Sequence, residues 1–136
     1  MSFNGVLENV KFAPLVLTWK RGSNLVDGGD FIKTDNQRWV SDYEGGKVPT
    51  ATLQNKESGD FLGWNADKKV VMGEIAKRWN VVFQDNYVGF QVPEGNTSDP
   101  DASAYYTLQL EADNSVILKY QESKLTTAQL WNPINK

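Results

Sequence analysis

The chain has no cysteine and no histidine. Without cysteine there is no disulfide framework and no thiol nucleophile. Without histidine the usual general base and the commonest zinc ligand are gone together. Long hydrophobic runs are also missing. The apolar stretches are a few residues each, far short of the roughly 20 that a membrane-spanning helix needs, so no membrane span is expected. Neither charge sign dominates: 14 lysines and arginines stand against 17 acidic residues, for a net charge of −3. That leaves no basic field to hold nucleic acid. The start, Met1-Ser2-Phe3-Asn4-Gly5, carries neither the basic nor the apolar segment of an export leader, and the expectation is a cytoplasmic protein or one secreted without a leader. The carboxylate pairs Asp27 with Asp30 and Asp99 with Asp101 fall in turn-rich stretches, where solvation is the default. Asp99-Pro100-Asp101 is too sparse for calcium, which takes about six to eight oxygens. The sequence is therefore expected to be no enzyme and to hold neither metal nor cofactor.

What the sequence does contain is repetition. Val16-Leu17-Thr18-Trp19, Phe61-Leu62-Gly63-Trp64 and Thr107-Leu108-Gln109-Leu110 begin 45 and 46 residues apart. Each is followed by a polar connector of five residues (20–24, 65–69, 111–115) and an apolar pair, Leu25-Val26, Val70-Val71 or Val116-Ile117. A tryptophan closes each copy: Trp39, Trp79 and Trp131. Repeats of a unit too small to bury its own apolar face must share one core. Period-two alternation, with Gly, Asn and Asp at the boundaries, marks strands rather than helices; residues 74–78 read as at most one helical turn. Twelve strands are expected, near 4–12, 15–20, 25–33 and 37–43, then 50–56, 60–65, 69–74 and 78–84, then 86–92, 105–111, 115–121 and 128–134. The pattern predicts a single all-β domain over 1–136, a β-trefoil of three copies (1–45, 46–85, 86–136). Such a fold is a six-stranded barrel capped by three hairpins, and closing the barrel removes exposed sheet edges. Residues 93–104, rich in Pro, Gly, Ser, Asp and Asn, read as a surface insertion in the third copy.

The closing tryptophans sit in Gln37-Arg38-Trp39, Lys77-Arg78-Trp79 and Gln129-Leu130-Trp131. Two of the three resemble the Gln-x-Trp triplet of ricin-B-type trefoil lectins, and Asn36 extends the first to the fuller Asn-Gln-x-Trp form. In size, lack of cysteine and lack of a leader the chain is similar to small cytoplasmic fungal trefoil lectins, and in outline to fungal trefoil protease inhibitors. The resemblance implies a non-catalytic carbohydrate-binding protein with glycans or glycoproteins as partners. Family sugar sites use an Asp in the second strand of a repeat. The matching positions are Thr18, Gly63 and Gln109, none acidic, so a sugar site here has been rebuilt. Trp39, Trp79 and Trp131 are expected in the core, where an aromatic side chain buries about 150–250 Å².

Trp64 is the leading ligand candidate. It ends a strand before a polar loop, where an indole can stack on a sugar ring while Asn65, Asp67, Lys77 and Arg78 bind hydroxyls and Gly63 leaves space beside it. Trp19 and Leu110 hold the same place in the other copies, which equally suits packing. Asn36 marks a second possible site. A different function rests on Lys20-Arg21 in the first connector, because an exposed basic residue on a rigid loop suits the acidic pocket of a trypsin-like protease. A third is a trefoil that binds other proteins. Oligomers are compatible with all three. Tyr43, Tyr87, Tyr105 and Tyr106 either line a binding surface or cover an end of the barrel.

Overall fold

The computed structural model describes residues 2–93, 105–121 and 124–136. Apart from Pro93, the expected insertion at 93–104 lies outside the described residues, as does the Tyr105 side chain.

The described strands are Ser2–Asn9 (β1), Val16–Trp19 (β2), Val26–Gly29 (β3), Trp39–Glu44 (β4), Thr50–Ala51 (β5), Gln54–Asn55 (β6), Phe61–Trp64 (β7), Val70–Gly73 (β8), Trp79–Gln84 (β9), Tyr87–Gln91 (β10), Tyr105–Leu110 (β11), Val116–Gln121 (β12) and Trp131–Ile134 (β13). The thirteenth arises because the strand expected at 50–56 is bent into β5 and β6. At the bend Thr52 turns back on β4: its Oγ1 accepts from the Asp42 amide at 3.2 Å and its own amide donates to the Asp42 carbonyl at 3.2 Å. Residues 74–78 form no helix.

Six strands close a ring by antiparallel pairing, in the order β1, β4, β5, β9, β10, β13 and back to β1. Three hairpins, β2–β3, β7–β8 and β11–β12, cap one end. This is a β-trefoil, with three pseudo-symmetric copies each giving two barrel strands and one hairpin. The hairpins lock to one another through backbone. The Gly28 amide donates to the Asn114 carbonyl and the Met72 amide to the Asn24 carbonyl, each at 2.8 Å.

The connectors are not equal in length. Trp64 pairs with Val70 and Leu110 with Val116, each across five residues, but Trp19 pairs with Val26 across six. A register shift by one residue sends alternate side chains to the opposite face. Leu25, expected to belong to an apolar pair, is accordingly 45% exposed, while Val26 is buried. Gly22 absorbs the extra residue at φ 81°, and the Trp19 indole donates to the Ser23 carbonyl at 2.8 Å.

The core begins where hairpins meet barrel. Trp39, Trp79 and Trp131 are all fully buried, as are Leu17, Leu62 and Leu108 of the hairpins. The Trp39 Nε1 donates to the Leu17 carbonyl and the Trp79 Nε1 to that of Leu62, each at 3.0 Å. Among the described residues the Trp131 Nε1 finds no acceptor. A second tie joins successive copies. Asn9 and Asn55, both fully buried, accept two amides apiece through Oδ1 and donate through Nδ2 to the carbonyls of Ala128 and Asn36. Each thus holds the short 3-10 turn (Thr127–Gln129 or Asp35–Gln37) of another copy. In the third copy the residue following β10 at this place is Val92, whose side chain carries no polar group.

Candidate functional site

The Gln of the Gln-x-Trp triplet has one evident job. The Gln37 Oε1 accepts from the Ile32 amide at 2.8 Å, and its Nε2 donates to the Asp30 carbonyl at 2.6 Å and to the Thr18 Oγ1 at 3.3 Å. A glutamine can do this because it carries an acceptor and two donors on one amide. The loop before the closing strand is thereby clamped to the hairpin. Gln129 instead accepts from the Thr126 amide at 2.9 Å and so caps its own 3-10 turn.

Lys77 stands in that place in the second copy and has no acceptor. Its side chain instead lies across the hairpin, with Nζ 5.1 Å from the centroid of the Trp64 ring. A Cβ added to Gly63 would stand 2.6 Å from the Lys77 Cγ. The space expected beside Gly63 is therefore filled by the lysine stem, and the absence of a side chain there is what lets the lysine lie down. At the far end of the hairpin the difference reverses. In copy one a Cβ on Gly29 would meet Thr18 and Gln37; a Cβ on the matching Gly73 would meet nothing within 4 Å. The result is a cavity of about 190 Å³ between β7, β8 and residues 74–77, walled by Phe61, Trp64, Val71 and Ile75, with Glu74 and Lys77 as its charged groups.

The six residues expected to bind ligand are not brought together. Trp64 and Lys77 line the cavity; the other four do not. Trp64 is only 7% exposed and packs edge-to-face on Trp79, ring centroids 4.9 Å apart. It is a wall, not the open stacking platform expected of it, because the hairpin cap buries it as it buries Leu110. Asn65 spends its Oδ1 on the amides of Asp67 and Lys69, at 3.0 Å each, so it shapes the connector. Asp67 is exposed on that turn. Arg78 points to the copy junction, where it donates to the Thr50 Oγ1 and to the Asp42 carbonyl and carboxylate. Asn36 is buried, its Nδ2 donating to the Trp19 carbonyl at 3.0 Å and its Oδ1 accepting from Thr34. Glu74 was missed as a site residue, because a possible helical turn hid it. The sequence signals for the cavity were Trp64, Gly63 and the Lys in place of Gln at 77.

The loop offered for protease inhibition carries a surface ion pair. Arg21 forks onto Glu57, with Nε and Nη2 at 2.6 and 2.7 Å from the two carboxylate oxygens. The residue offered as a free basic probe is held on its own protein's surface. Lys20, exposed beside it, lines a separate cavity where the hairpins meet, together with Asp27 and Ser115. Burial pushes the Asp27 carboxyl above its usual range, partly offset by Lys20. The hydrogen bond from Arg21 holds Glu57 below the usual carboxylate range. A depressed acid stabilises the folded state above its unfolded pKa, about 4.3 for glutamate, and that contribution is lost as pH falls through the lowered value. Glu57→Gln should therefore destabilise slightly at neutral pH and lose that deficit in acid, read as Tm against pH. The effect is small, because both groups are in solvent. Wild-type protein titrated into trypsin should show no inhibition.

Among the described residues no group of three or more His, Cys, Asp or Glu is placed to hold a metal ion.

No protein-family model and no curated protein matches the sequence. Solved structures do match in shape. The Rhizoctonia solani agglutinin is 24% identical, with a TM-score of 0.76, and the match covers 100% of this chain and 96% of that one. The Macrolepiota procera ricin B-like lectin, solved in complex with lactose, is 21% identical with a TM-score of 0.69, covering 94% and 91%. A GlcNAcα1-4Gal-releasing endo-β-galactosidase from Clostridium perfringens is 20% identical with a TM-score of 0.71; the match covers 95% of this chain but 31% of the enzyme.

Proposed function

We propose that the protein is a non-catalytic glycan-binding module whose sugar site is the cavity of the second copy. The carrying observation is the composition of that cavity. Phe61, Trp64, Val71 and Ile75 offer apolar surface to the C–H face of a pyranose, while Glu74 and Lys77 offer an acceptor and a donor for its hydroxyls. Ligand sites of this kind combine mostly apolar walls with a few placed polar groups. Its volume of about 190 Å³ suits one sugar ring, so binding is to a single residue of a glycan and weak per site. Two structures of similar shape and length are by name an agglutinin and a ricin B-like lectin, the latter with lactose bound, which supports the reading without identifying the sugar. Among the described residues Glu74 is the one carboxylate lining the cavity, whereas glycosidases as a rule need a pair flanking the scissile bond; that favours binding over hydrolysis.

The test is a glycan array followed by titration of the best hit. Trp64→Ala is a poor probe, since a buried core residue is lost with it. Glu74 is exposed, so Glu74→Gln should leave Tm within a degree or two. Glutamine keeps an acceptor but loses the charge, which is worth about 1 kcal/mol in a hydrogen bond, so the variant should bind roughly 5-fold more weakly. Unchanged glycan affinity in Glu74→Gln would remove the site from the second copy, and a silent array would remove the function.

A further inference from the structure

The barrel end opposite the hairpins is under-filled, and the reason is visible in its layers. Inward positions two residues apart on the closing strands are Trp39, Ser41 and Tyr43 on β4, Trp79, Val81 and Phe83 on β9, and Trp131 and Pro133 on β13. The layer below the three tryptophans is thus Ser, Val and Pro, with Ala51 and Val88 arriving from the opening strands. Small side chains from five barrel strands leave a cavity of about 380 Å³. The cavity opens to solvent at that end, and an apolar concavity of this size has the form of a small-molecule site.

Two features define that occupant. The walls are apolar and aromatic: Phe3, Phe90 and the edge-to-face pair Tyr43–Phe83, whose centroids are 6.1 Å apart. Phe83 is 61% exposed at the mouth, which gives the cavity an apolar entrance. Into this space comes the Ser41 hydroxyl. Ser41 is 6% exposed, lines the cavity, and makes no side-chain hydrogen bond among the described residues. The hydroxyl faces the cavity and is reached by solvent there, so a ligand hydroxyl that displaces that solvent gains a direct protein partner.

We propose that the barrel end is a second ligand site, distinct from the sugar cavity, for a small aromatic alcohol of phenol type. Its ring fills the layer beneath the tryptophans and its hydroxyl pairs with Ser41 Oγ. An engineered apolar cavity of about 150 Å³ takes up benzene, so one more than twice that size accommodates a substituted ring. The inference needs no sugar and does not depend on the glycan reading.

The test uses two probes that differ by one hydroxyl, p-cresol and toluene, titrated into ¹⁵N-labelled protein without glycan. Saturable shifts should appear at Phe3, Ser41, Val81 and Phe90 and spare the hairpins, with p-cresol bound about 10-fold more tightly than toluene. Ser41→Ala should erase that preference while toluene still binds. Ala51→Leu, which adds carbon inside the cavity, should abolish binding of both; if it fails to fold, Val81→Leu serves the same purpose. Non-saturable shifts, shifts confined to the hairpins, or a preference for p-cresol that survives in Ser41→Ala each overturn the proposal. So does a stable dimer in sedimentation that Phe83→Ser dissociates, because a second copy would then be the cover.

Discussion

Trp39→Ala and Trp79→Ala should each cost about 3–5 kcal/mol, the range for emptying a buried tryptophan site. Whole domains are stable by about 5–15 kcal/mol, so either variant will be close to unfolded or unfolded outright at room temperature. The sharper experiment replaces each tryptophan by phenylalanine. Trp39→Phe and Trp79→Phe delete the indole donor and leave the carbonyls of Leu17 and Leu62 unpaired in a sealed core. Trp131→Phe deletes a donor that has no partner among the described residues. Its net cost is the smaller void less the relief of an unsatisfied group, which is worth about 1–3 kcal/mol. Urea unfolding should therefore rank Trp131→Phe as the mildest of the three by a margin of that size, at constant m-value. A cost for Trp131→Phe equal to or above the other two would mean that its indole is satisfied after all.

The second large effect belongs to Asn9 and Asn55. Each is fully buried and makes three hydrogen bonds to backbone, two accepted and one donated. At about 1 kcal/mol per bond, Asn55→Ala should lose roughly 3 kcal/mol. The loss reaches beyond the turn at 55–58, because the Nδ2 bond pins the carbonyl of Asn36 in the neighbouring copy. Asn55→Asp separates the two roles. A carboxylate still accepts from Glu57 and Ser58 but cannot donate to Asn36, and it brings a charge into the interior. Protonation removes the charge and restores a donor, so the penalty of Asn55→Asp should shrink as pH is lowered, whereas that of Asn55→Ala should not. Denaturation midpoints at pH 7 and pH 4 check this. A pH-independent penalty for the aspartate variant would show that the site is solvated.

Much of the fold was legible before any coordinate. The matched segments at 16–19, 61–64 and 107–110 are β2, β7 and the end of β11, and the closing tryptophans open β4, β9 and β13. These are local signals, strengthened threefold by repetition. Asn9 and Asn55 were legible too, 46 residues apart and so in step with the repeat, but they were overlooked because neither sits in an apolar pattern. The candidate site fared worse. Proximity to Trp64 in sequence suggested Asn65, Asp67 and Arg78 as its partners, yet a turn and a strand carry them to other surfaces. The first connector was misjudged by one residue, since an apolar pair can be counted from either side of an exposed leucine.

Composition and spacing alone excluded thiol and imidazole chemistry, set the threefold repeat and placed the indoles, because those properties depend on residue type and on periods of a few residues. Packing decided what occupies each copy's pocket. Lys77 lies over Trp64 because residue 63 has no side chain, Arg21 is bound by a carboxylate 36 residues away, and the barrel's empty end exists because small residues from five strands meet there. Interactions of that kind join positions far apart along the chain, and only closure of the barrel brings them within reach.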